Sequence, residues 1–244
     1  MVAPRILSWL GVLSFRVPNW WVAASFYAPC VAALCVQWIT QRNLNVVRVC
    51  DSLIRLVLGL VAGILIIIVG NVVVPAMIAE QRPLQTLNWA ALLSVSTYHF
   101  HLLNWLPPLG EEVGWRSFAT PRLQARYGPV WASVLVGVIW AGFMLPGLAL
   151  VQMWSAGGIL LYGVEMICLS IEMTFAMNLS AFSIIVAVVM HSLSSNQTVY
   201  ISRALVATGA PRGNWQTVWG IGNLIVPAIL LLATRGKLGM TEKK

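Results

Sequence analysis

A chain of 244 residues with 59% hydrophobic and only 9% charged residues falls far short of the roughly one-quarter charged residues typical of a soluble domain. Its mean hydropathy of +0.82 points to bilayer hydrocarbon as the solvent. The net charge of +8 is scattered, with small groups at Arg42/Arg48/Arg55, Arg122/Arg126 and Arg235/Lys237/Lys243/Lys244. That placement suits anchors at lipid headgroups and argues against a nucleic-acid partner.

In chain order, residues 5–17 read as a short basic, apolar stretch lying at the interface. Spans are expected at Trp21–Trp38, at Leu56–Val74 up to the breaker Pro75, and more weakly at Leu87–Leu106. Pro107-Pro108-Leu109-Gly110 follows, then a polar segment from Glu111 to Arg126. Further apolar runs cover Val130–Leu150, Ile159–Met177, Phe182–Leu193 and Val218–Ala233. Backbone polar groups in lipid must be satisfied internally, and no alternating barrel pattern is present, so these runs are predicted helices. At about 20 residues per span, the expectation is an all-α, polytopic transmembrane helix bundle of about six to eight membrane helices. It is read as a single domain over residues 1–244, with no cleaved signal peptide.

The segments 41–55 and 121–128 and the C-terminal tail are basic, and alternate spans put all three on one side. By the positive-inside rule that side, with the C-terminus, is cytoplasmic. Arg203, Arg212, Arg5 and Arg16 run against the rule unless residues 5–17 re-enter. Twelve tryptophans fit interfacial belts. Cys30, Cys35, Cys50 and Cys168 have no framework or metal spacing and read as small hydrophobes.

Of seven acidic residues, Glu111, Glu112, Glu165 and Glu172 lie within or against apolar runs. A charge at the centre of an inserted helix costs roughly 2.5–3.5 kcal/mol, so each needs a partner, a proton or a water-filled cavity. Glu112 and Arg116 stand four apart and share a helix face, with the glutamate N-terminal as favoured. Glu111 points elsewhere, has no nearby cation in sequence, and is the freer base. The plainer alternative is that both acids cap the helix and pair with Arg116. Glu165 and Glu172 are seven apart and share a face. They read as buried bundle polarity, paired or protonated, or as part of a substrate-facing or proton path.

The run Gly110-Glu111-Glu112-Val113-Gly114-Trp115-Arg116-Ser117-Phe118, followed by Pro121-Arg122-Leu123-Gln124 and Tyr127-Gly128-Pro129, resembles the first motif, Glu-Glu-x-x-x-Arg, of the CAAX-protease and bacteriocin-processing (CPBP, or Abi) family. The resemblance continues through Trp131-Ala132-Ser133 and from Trp140-Ala141 to Leu145-Pro146, and covers about residues 85–200. It implies a bundle of membrane helices acting as a glutamic intramembrane endopeptidase without a cofactor. It further implies Glu111 as the base that activates water, Glu112 with Arg116 as the supporting pair, and His191 as a histidine that binds the oxyanion. The implied partners are the bilayer and a peptide or protein substrate, prenylated or membrane-embedded.

Two positions depart from the family pattern. Its second motif places a histidine four after an aromatic residue; here Trp140 is followed by Met144, and a thioether does not shuttle protons. Its third motif places an asparagine four after the histidine; here Ser195 stands there, with Asn196 one further on. His99 and His101 precede Glu111 by ten or so residues and read as interfacial or core histidines. No His-Glu-x-x-His pattern supports a metal centre. The sequence therefore leaves two main readings: a membrane endopeptidase impaired at Met144, or an inactive relative serving as a bacteriocin-immunity, partner-binding or scaffold protein. A proton-coupled transporter through Glu111, Glu165 and Glu172 is a weaker third, without an inverted repeat to support it.

Overall fold

A computed structural model describes residues 24–74, 77, 90, 106–151, 156–195 and 215–240. The described residues are helical apart from connecting turns and one isolated bridge between Arg48 and Ser183. The expected interfacial stretch 5–17, all of the Leu87–Leu106 run but Ala90 and Leu106, His99, His101, Arg203, Arg212 and Asn196 lie outside the described residues.

Helix α1 covers Ala28–Gln41, with Pro29 in its first turn, where a missing N–H costs nothing; residues 21–23 lie outside the described ones. Helix α2 covers Leu53–Ile68 and runs on into a π-helical turn, Val69–Val73. Helix α3, Leu106–Glu112, continues through a π-helical segment, Val113–Ala119, into α4, Thr120–Val151. Pro107 and Pro108 stand in its first turns, where a missing N–H costs nothing. The true break falls at Gly128, whose φ of 79° and ψ of 169° leave the helix just before Pro129. Helices α5 (Ala156–Leu179), α6 (Ile184–Ser195) and α7 (Trp215–Ala233) complete the described chain.

Two stretches, Leu106–Leu145 and Gly157–Leu179, are long and apolar enough to cross a membrane; Ala28–Gln41, Leu53–Ile68, Ile184–Ser195 and Asn223–Ala233 are shorter apolar helices. The distribution of polarity is inverted relative to a water-soluble domain. Val31, Val36 and Ile39 of α1, Leu53, Ile54, Val57, Leu58, Val61 and Leu65 of α2, Trp131 and Val138 of α4 and Leu232 of α7 are exposed. Glu111, Glu112, Arg116, Ser133, Glu165, Ser170, Glu172 and Thr174 are buried. Such a surface is stable against hydrocarbon and aggregates in water.

Helix α5 is central, packing on α4, α7 and α2, while α6 lies on α2 and α3, and α1 covers α3 and the π segment. Small residues set the close approaches. A Cβ on Gly59 would stand 2.5 Å from Ser180 Cβ, one on Gly63 2.7 Å from Met190 Sδ, and one on Gly114 2.5 Å from Pro29 Cβ.

Three basic segments meet at one end of the bundle. Arg122 donates to Gln37 at the end of α1, and Gln37 donates to Asn43 at 2.8 Å. Gln124 donates to Asn178 at 2.9 Å, and Asn178 donates to the carbonyl of Leu238 at 2.8 Å. The loop after α1 docks on the α5–α6 turn, where Ile184 N–H donates to the Arg48 carbonyl at 2.8 Å and Ser183 donates to the Val49 carbonyl. The chain segments read from sequence as lying on one side thus share one end of the fold.

Candidate active site

The two glutamates end α3, and the π-helical segment begins at the next residue. Its wider turn is closed at Thr120, whose backbone N–H and hydroxyl both reach the Trp115 carbonyl, the hydroxyl at 2.8 Å. π-helical turns are rare and concentrate at functional sites. Gly110 and Gly114 seat this helix against α1, since a Cβ on Gly110 would meet the Tyr27 ring at 2.8 Å. Both acids are therefore carried on a helix clamped from one side by Tyr27 and Pro29.

Glu112 is fully buried and faces two bases. Arg116 Nε lies 3.5 Å from its Oε2, and His191 Nδ1 lies 2.7 Å from its Oε1. A carboxylate only accepts, so the contact puts the proton on Nδ1 and leaves Nε2 as the ring nitrogen for other partners. The guanidinium of Arg116 stacks over the Trp140 ring at 4.4 Å and donates through Nη2 to Met173 Sδ at 3.2 Å. Among the described residues its Nη1 has no protein acceptor. A buried guanidinium left with an open donor can hold a carbonyl or water oxygen.

Glu111, 1% exposed, has a different set of neighbours. Trp140 on α4 donates its indole N–H to Glu111 Oε2 at 2.6 Å. The Trp115 indole is in reach of the same carboxylate without closing a hydrogen bond. His191 lies within electrostatic range of Glu111, and Tyr162 on α5 lies within range of both Glu111 and Glu165. The Trp140 and His191 rings meet edge to face, 4.9 Å apart and inclined at 66°. Glu111 and His191 thus converge on one buried locus through Trp140.

The structure thus gathers Glu111, Glu112, Arg116 and His191 into one buried cluster. Ser195 does not join it; it is exposed at the last position of α6. Asn196 lies outside the described residues. Met144 is half-buried and packs with the apolar core beside Phe143, which itself meets Trp115 edge to face at 5.8 Å. Trp140 was legible only as the aromatic position of a motif, and Trp115 and Tyr162 carried no signal. The one available clue was that indole and phenol groups buried in apolar surroundings seek hydrogen-bond partners.

Glu165 and Glu172 are buried on α5. Neither forms an ion pair among the described residues, and Glu172 Oε1 has no protein hydrogen-bond partner. It faces Gly70 in the π-helical turn after α2, beside Asn223 of α7. No group of three or more His, Cys, Asp or Glu side chains among the described residues is arranged to hold a metal ion.

An apolar-surfaced helical bundle around a buried Glu-Glu-x-x-x-Arg cluster has the character of an integral membrane protein. Residues 92–196 match the family described as Type II CAAX prenyl endopeptidase Rce1-like, which supports the resemblance to the CAAX-protease (CPBP) family. That family is one of membrane proteases, so the match supports a hydrolase at the family level and implies a peptide or protein substrate in a lipid context. Comparison with curated proteins finds no match.

Proposed function

We propose that the protein is an intramembrane endopeptidase of CAAX-prenyl-endopeptidase type, working with an incomplete catalytic set. The observation that carries this reading is the pairing of Glu111 with Trp140 beside His191, in a cluster closed to bulk solvent. Glu111 takes a proton from water, and the resulting hydroxide attacks the scissile carbonyl. The tetrahedral oxyanion is held by His191 with Asn196, and the proton passes from Glu111 to the leaving amine. Glu112, held between Arg116 and His191, orients the histidine. On this reading six to eight helices cross the plasma membrane, the C-terminus is cytoplasmic, and prenylated tails or peptide leaders of bacteriocin type are the substrates.

Met144 favours one further reading. With no histidine at the second motif, the chain is an inactive relative that keeps the fold to bind a partner, give bacteriocin immunity or act as a scaffold. Purified protein in liposomes, offered a farnesylated peptide with a quenched fluorophore across the scissile bond, separates the two. Hydrolysis by the native chain that disappears in Glu111→Ala supports the peptidase. Hydrolysis that survives Glu111→Ala rejects it. Activity that arises only in Met144→His identifies a degenerate enzyme.

A further inference from the structure

Trp140 touches three members of the cluster. Its N–H lies 2.6 Å from Glu111 Oε2, its face carries the Arg116 guanidinium and its ring meets that of His191 edge to face. The side chain is 2% exposed, so the ring is fixed on three sides and has no room to swing its donor away. A buried N–H to a carboxylate is charge-assisted, shorter and roughly twice as strong as a neutral pair.

Trp140 and Met144 are four apart on α4 and lie on the same helix face. In the pattern this segment resembles, any aromatic residue serves at the first of these positions and the histidine at the second supplies the polar group. Phenylalanine has no donor; tryptophan does. Here the polar group is absent one turn on, and a donor is present at Trp140, bonded to Glu111.

We propose that Trp140 is a positioning residue: its indole N–H holds the Glu111 carboxylate, moving to the aromatic position the donor that Met144 does not supply. The catalytic consequence rests on the peptidase reading above; the bond itself does not. The carboxylate is fixed at one oxygen, so its orientation toward substrate is set before substrate arrives.

The full chain in lipid nanodiscs, with tryptophan labelled at the indole nitrogen, gives a test that needs no substrate. Trp140→Phe identifies the Trp140 indole resonance by its loss. In Glu111→Ala that resonance moves upfield, out of the hydrogen-bonded range, while indoles away from Glu111 stay. A Trp140 resonance that ignores Glu111→Ala overturns the proposal. On the farnesylated peptide, Trp140→Phe lowers kcat about 10- to 100-fold with KM unchanged. An unchanged kcat in Trp140→Phe overturns the proposal even where the bond exists. If the native chain hydrolyses nothing, the peptidase reading fails with the catalytic consequence, and the indole shift alone decides whether Trp140 holds Glu111.

Discussion

His191 closes on Glu112, not on Glu111: its Nδ1 lies 2.7 Å from Glu112 Oε1, 79 residues away in sequence. The adjacent glutamates therefore have separate environments. Glu112 faces Arg116 and His191 across ion-pair distances, and Glu111 receives a neutral indole N–H. A carboxylate occupied by two bases is a structural anchor. One held by a single neutral donor is available for proton transfer.

The two glutamines should fail differently. Glu112→Gln removes the counter-charge of two buried groups, and breaking a buried pair from one side costs about 3–5 kcal/mol. Glu111→Gln keeps an acceptor for Trp140 and should leave the fold near native. Thermal melts in detergent, following the buried Cys168 thiol by dye labelling, should show a large drop for the first and little for the second. Equal drops would contradict the division of roles.

Met144→His should raise hydrolysis of the farnesylated peptide by about 10²–10⁴-fold, the usual contribution of a general acid–base group. Met144 is half-buried in the core wall, so the variant should remain folded. A folded Met144→His with native rate would mean that the second motif does not limit this chain.

Gly114→Ala and Gly142→Ala form a matched pair on either side of the Gly128 break. The first sets a Cβ 2.5 Å from Pro29 Cβ and 2.6 Å from the Pro29 carbonyl; the second meets nothing within 4 Å. Overpacking costs about 1–3 kcal/mol, whereas alanine improves an open helical site by up to about 1 kcal/mol. Gly114→Ala should melt lower than native and also lose activity, because the glutamates ride on that helix. Gly142→Ala should melt at or above native.

Leu238 is fully buried beyond the end of α7, in a turn whose carbonyl is held by Asn178. Leu238→Ala should cost about 2–5 kcal/mol and Asn178→Ala about 1–3 kcal/mol, from the unpaired buried carbonyl. Protease nicking near residues 234–240 should rise in both, monitored by mass spectrometry. Resistance equal to native would show that the tail contributes nothing to the bundle.

Much of the fold was legible because bilayer solvent imposes a strong rule. Apolar runs must be helices, and the helices α2, α5, α6 and α7 fall where those runs stand. The Gly128-Pro129 break was audible as a Gly-Pro pair, and the Glu112–Arg116 pair followed from a four-residue spacing that helical geometry brings onto one face. Pro29, Pro107 and Pro108 stand in the first turns of their helices, which accept a residue without an N–H, whereas a helix interior does not.

Sequence by itself thus determined the solvent, the helical class, the family motif and the local ion pair, all consequences of composition or of contacts within one helical turn. Tertiary structure alone decided which base each glutamate meets. Trp140 reaches Glu111 from 29 residues away and His191 reaches Glu112 from 79. Such partners are chosen by how helices pack around small residues such as Gly110 and Gly114, and no spacing along the chain encodes that choice.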